Sequence, residues 1–292
     1  MAAIGLLVST AAMFFTACAQ GRITKVTHST ETVAFSGAHG GSWKFADDLW
    51  QLRRDPQSAW ASLVAYRRAV EDQPRVAELW ADYARACHFV ATYVEPSKEW
   101  SNPERTKTLY MEGARAAESG LHLNAGYAQR LAETGDDAEA VLVLDGPWLE
   151  PAYWLAVNRR RWALQEGTRP RMDGGEPLDR LVRHVAARNE SLLYGGPHRF
   201  LAVMFLTAPA PRADSARAHL DRAYALQPLY FANRTVRAQY LAVFEKDSAS
   251  FRTLLEEVLS MPADTLPEAA IENEFEQARA RDLLSRQAEL FP

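Results

Sequence analysis

The sequence predicts an all-α fold, a compact array of helical hairpins. Three observations carry that prediction. From Lys44 onward apolar residues recur at helical spacing, and polar–apolar alternation over strand lengths is absent. Two distant segments, residues 62–74 and 216–228, share one pattern of small, large, Ala and Pro positions. Between them EPSKEWSNPERT and the Gly/Pro-marked MDGGEP break the period, so the array is closed and irregular rather than an open solenoid.

The first eighteen residues, MAAIGLLVSTAAMFFTAC, are apolar throughout and somewhat short for a membrane span, which needs roughly 20 residues. They read as the apolar centre of an export signal. Their end, Phe15-Thr16-Ala17-Cys18, resembles a bacterial lipoprotein box, which makes Cys18 the expected lipidation site. Residues 19–46 are polar and rich in Gly, Ser and Thr, as expected of a flexible tether. Residues 47–292 then form the expected single helical domain.

The first repeat-like helix is SLVAYRRAVEDQP. Ser62, Tyr66, Ala69 and Pro74 stand at the small, large, Ala and Pro positions of the tetratricopeptide second helix. Trp80, Tyr83 and Ala84 follow where the next first helix begins. ARAHLDRAYALQP repeats the pattern with Ala216, Leu220, Ala223 and Pro228. Small residues let paired helices approach, and proline ends the second helix. The array is thus a degenerate tetratricopeptide-like one. Phe251, Leu254, Leu255, Val258 and Leu259 line one face of a later helix. Thr265 and Glu268 are spaced as a capping box opening the last helix.

Composition narrows the function. The 292 residues are 48% hydrophobic and 24% charged, as in ordinary globular proteins, and the net charge is −4. No basic excess points to nucleic acid. Arg159-Arg160-Arg161 is the one dense cationic run and reads as a solvated helix face. Cys18 and Cys87 make no disulfide framework, and Cys87 is expected as a buried small hydrophobe. No two of the seven histidines are three or four residues apart, so no helical pair grips a metal. G-x-S-x-G, P-loop and dinucleotide motifs are absent, so neither catalytic residue, enzyme activity nor cofactor is expected.

YGGPHRF, residues 194–200, could hold an anion, serve acid–base chemistry or join two helices. The hinge is the favoured reading. Gly195 and Gly196 would end the run LDRLVRHVAARNESLL, and Pro197 would open the next helix. His198 and Arg199 are then hinge or partner-contact residues, and a hydrolase using His198 would need a polar cleft around it. Tyr153, Trp154, Trp80, Tyr83, Tyr194 and Tyr240 recur near helix ends or inner faces. Collectively they are candidate lining for a cavity that takes an apolar or amphipathic ligand.

The order of motifs resembles the T component associated with tripartite ATP-independent periplasmic (TRAP) transporters, the TatT family of tetratricopeptide-like lipoproteins. The pieces are Pro151–Leu155, Tyr194–Arg199, Asp214–Ala223, Pro228–Tyr230, Phe251–Val258 and Asn273–Phe291. The likeness covers most of the chain after residue 46 and is weakest between residues 100 and 145. Ala-Pro-Ala-Pro-Arg replaces the usual glycines before Asp214, and Phe200–Phe205 is bulkier than the family pattern. The resemblance implies a bacterial envelope protein that is lipid-anchored and periplasm-facing. It also implies a solute-binding partner, a small hydrophobic ligand and assembly as a homotrimer. The alternative is a general tetratricopeptide scaffold lipoprotein in an envelope assembly complex.

Overall fold

The computed structural model describes residues 40–97, 102–166 and 175–292, and among these there is no β-strand. Cys18 and His39 lie outside the described residues. The chain is all-helical, and consecutive helices pack side by side as hairpins.

Helix α1 spans Gly41–Gln51 and buries Trp43, Ala46 and Trp50, which share one face by their spacing. Helix α1 thus overlaps the end of the segment expected as a tether, and Trp43 and Ala46 there are core residues. Helix α2, Pro56–Asp72, opens with Pro56 in its first turn and Asp55 accepting from the Ser58 amide at 2.8 Å. Ser62, Tyr66 and Ala69 are fully buried on it.

Helix α3, Ala77–Phe89, runs on into a π-helical segment, Val90–Val94. Helix α4, Pro103–Leu121, follows, capped by Asn102. Two short helices, α5 (Ala125–Thr134) and α6 (Asp137–Ala140), lead to α7, Leu149–Glu166. Helix α7 packs against both α3 and α4 and is buried on nearly every side. Its approach to α4 depends on Gly113, where an added Cβ would lie 2.8 Å from the Asn158 side chain.

Helix α8, Gly175–Arg188, joins α7 to α9, Leu192–Thr207, which pairs with α10, Ala213–Leu226. Ala216, Leu220 and Ala223 are fully buried, matching their repeat positions. Helix α11, Ala232–Val236, continues into a second π-helical segment, Arg237–Ala242. Helices α12 (Ser248–Ser260), α13 (Ala270–Ser285) and α14 (Gln287–Leu290) complete the chain.

Thr265 and Glu268 do not form a capping box. The Thr265 hydroxyl donates to the Pro262 carbonyl, the segment makes two 3₁₀ turns, and α13 begins at Ala270. The main core runs from α1 to α10, and a second cluster joins Phe231, Phe251, Leu255, Val258 and Leu283. The two ends of the array meet. Arg53 donates three hydrogen bonds to the Glu272 carboxylate, at 2.8, 2.9 and 3.0 Å, across 219 positions of sequence. Phe89 and Phe275 pack edge to face at 5.3 Å beside that bridge.

Candidate functional site: a central aromatic and arginine-lined cavity

Closing the array leaves a space at its centre. A cavity of about 340 Å³ is walled by the end of α3 and its π segment, by α7, by the start of α9, by the second π segment and by α13. Its aromatic lining includes Trp50, Tyr93, Tyr153, Trp154, Tyr230 and Tyr240. Of the sequence-derived candidates, Tyr153, Trp154, Tyr194, Arg199 and Tyr240 are brought together here. The Trp154 ring lies 5.3 Å from His88 and 5.6 Å from Tyr153, and its indole N–H donates to Glu150. Tyr194 stacks at a tilt on Tyr230, 4.7 Å away.

Trp80 and Tyr83 do not join this group. Both line a separate groove of about 580 Å³ with Glu112 and Trp162. Each is tied to structure there. The Trp80 indole donates to the Pro74 carbonyl at 2.9 Å. The Tyr83 hydroxyl bonds to Glu112 and accepts from Arg67.

The YGGPHRF segment is a turn, but its chemistry differs from the expected cap. Helix α8 already ends at Arg188, so Gly195 and Gly196 do not terminate it. Instead Leu193, Tyr194 and Gly195 take left-handed backbone at φ 48°, 61° and 82°. The right-handed helix follows, with Pro197 in its first turn. Left-handed backbone costs a non-glycine residue about 1–2 kcal/mol, and Arg199 offsets it. Its guanidinium donates to the Leu193 and Tyr194 carbonyls at 2.7 and 2.6 Å and to Asn233 at 2.7 Å, and stacks on Tyr230. Gly196 lets Tyr153 approach: an added Cβ would sit 2.8 Å from the phenol oxygen.

His198 points away into a polar cluster. Its Nδ1 lies 2.7 Å from His219 Nδ1, and its Nε2 lies 3.2 Å from Glu190, which also accepts from Arg222. Side-chain hydrogen bonds from Arg222 and then His198 hold the Glu190 carboxyl down at about 2. Sequence spacing missed the His198–His219 pair because their neighbourhood arises between two helices. Among the described residues no group of three or more His, Cys, Asp or Glu could hold a metal ion.

The arginine run of α7 is also misread as a solvated face. Arg159 pairs with Asp137 at 2.6 Å and Glu118 at 3.3 Å, Arg160 is buried, and Arg161 lines the cavity. The signal was in the flanks: PAYWLAVN before the run and WAL after it leave α7 without a polar face.

Three arginines of the cavity wall are matched by carboxylates. Arg53 holds Glu272, and Arg85 holds Asp82 at 2.7 Å while both guanidiniums lie over Trp50. Burial pushes the Asp82 carboxyl up to about 6 against the pull of Arg85. Buried Glu276 accepts from Tyr93 at 2.7 Å and from Thr235, with Arg279 at 3.5 Å. Burial disfavours the Arg161 charge, while Tyr240, Tyr110, Tyr93 and Glu276 favour it. Burial and then Arg161 push the His88 imidazole down to about 3. Burial alone would raise the Tyr240 phenol, yet Arg161 and Arg279 hold it below its ordinary value.

Such a site can bind and orient a molecule with an apolar body. No helix among the described residues is long and apolar enough to cross a membrane. A search of curated proteins finds no match to this chain. The model of the TRAP transporter T-component family matches residues 71–291, which include the two π-helical segments, α7, the left-handed turn and most of the cavity wall. The chain, most of whose length that match spans, belongs to the TRAP transporter T-component family.

Proposed function

We propose that this chain is the lipid-anchored, periplasm-facing component of a TRAP-type uptake system. In this reading it receives a small, largely apolar solute in its central cavity and docks a periplasmic solute-binding protein. The cavity carries the proposal: about 340 Å³ is at the small end of ligand sites, and aromatic rings recur around its wall. The work is binding and transfer, without covalent chemistry. Burial of apolar surface drives entry, and the polar tips of Tyr153, Tyr194 and Tyr240 orient the guest. Anchoring through diacylglycerol on Cys18 and assembly as a homotrimer belong to the same proposal, and the family likeness supports them.

Purification of the tagged full-length chain from its own cell envelope tests the partner. Recovery of a solute-binding protein and TRAP membrane subunits is expected. Recovery of envelope-assembly proteins alone would overturn the transport reading in favour of a scaffold. Mass spectrometry of the mature N-terminus is expected to find lipid on Cys18, and an unlipidated chain cleaved after Ala17 would reject the anchor.

A further inference from the structure

Helix α1 turns an apolar stripe outward. Its buried face is fixed: the Trp43 indole donates to Asp82 at 3.1 Å, and Trp50 packs edge to face on Phe89 at 5.1 Å. The opposite face carries Phe45, Leu49 and Leu52, spaced i, i+4 and i+7 along one side of the helix. Phe45 is 61% exposed and Leu52 59%, more than any other large apolar side chain among the described residues. The end unit of a helical array normally shows water a polar outer face. The charges beside this stripe are engaged. Lys44 pairs with Asp48 at 2.8 Å, Arg54 pairs with Glu274 at 2.6 Å, and Asp47 accepts from Tyr66 at 2.7 Å. That lowers the cost of bringing the stripe against an apolar phase.

We infer that the stripe is a bilayer contact: Phe45, Leu49 and Leu52 enter the headgroup–acyl boundary and fix the orientation of the domain on the membrane. The inference rests on the lipid-anchor reading above. Residues 19–40 are all that separate Cys18 from α1, and they reach at most about 80 Å fully extended. A helix leashed that closely meets the bilayer at high effective concentration, so a contact of a few side chains suffices to hold it there. The same few side chains fall far short of the roughly 1,200–2,000 Å² that a stable protein interface buries, which argues against a second copy as the occupant. Leu52 stands between Gln51 and Arg53, both in the cavity wall, so the contact sets that part of the wall beside the membrane.

Spin labelling of the full-length lipidated chain in vesicles of phosphatidylethanolamine and phosphatidylglycerol tests this. Cys18 is blocked by its lipid and Cys87 is buried, so in Leu52→Cys the nitroxide goes to position 52 alone. Its collisions with oxygen are expected to outweigh those with a water-soluble nickel chelate, the reverse of a label placed by Gln129→Cys on α5. Adding Phe45→Ser should shift the label at position 52 back toward the nickel reagent. All three positions are exposed, so none of these changes touches the core. A label at position 52 as open to nickel as the one at position 129, on vesicles that still carry the chain, overturns the contact and leaves the anchor standing. A label hidden from both reagents and broadened by a neighbouring spin assigns the stripe to a second copy and overturns the contact as well. A chain that does not float with the vesicles overturns anchor and contact together.

Discussion

Gly195 occupies a position that refuses a side chain twice over. Its φ of 82° is in the left-handed region, and a Cβ there would lie 3.0 Å from the Ala223 backbone. Gly195→Ala is therefore expected to cost about 1–3 kcal/mol in urea unfolding, whereas Gly40→Ala, with nothing within 4 Å, should shift stability by less than about 0.5 kcal/mol. The His198–His219 pair makes a pH prediction. Burial, then the charge of His198 and Arg183, push the His219 imidazole from 6.5 down to about 4. Unfolded His219 thus binds a proton that the folded form refuses, so its contribution is full above pH 6.5 and is lost as pH falls through about 4. The urea midpoint should drop between pH 7 and pH 5, and His219→Asn should flatten that slope. It should not erase it, because His88, pushed down to about 3, acts with the same sign. At this scale the sequence singled out Tyr153, Trp154, Tyr194 and Tyr240, which share one cavity, together with Trp80 and Tyr83, which line another groove. It hid what the arginines do, because a cationic run looks the same on a wet face and around a pocket.

The helices were legible where one residue settles the matter. Ser62, Tyr66, Ala69, Ala216, Leu220 and Ala223 are all fully buried because small and large side chains must alternate across a hairpin seam. Caps behave likewise. The Asn124 side chain accepts from the Tyr127 amide at 3.0 Å at the start of α5, and Asn124→Ala should lower unfolding free energy by about 1 kcal/mol, read as a shifted urea midpoint. Thr265 has the right letters for a cap but spends its hydroxyl on Pro262, and only backbone geometry tells the two apart. The π segments Val90–Val94 and Arg237–Ala242 were not legible at all. Both supply cavity wall, through Thr92 and Tyr93 in one and Tyr240 in the other. A widened turn re-aims the side chains it carries, and such turns gather at functional sites.

At the scale of the whole molecule, closure matters most. Arg53 and Glu272 join the first hairpin to α13, with side chains 8% and 18% exposed. Removing one partner leaves a half-buried charge, so Glu272→Ala should cost about 3 kcal/mol and raise hydrogen exchange in α13 before the main core. Unchanged exchange in α13 would show that closure does not depend on this pair. The family could be read from the order of motifs along the chain. The cavity could not, because its wall joins residues 219 positions apart whose contact no local pattern announces. A chain made from its N-terminus has no chamber until the closing helix arrives. A chain truncated before α13 lacks Glu272, Glu276 and Arg279 and with them one side of the cavity wall.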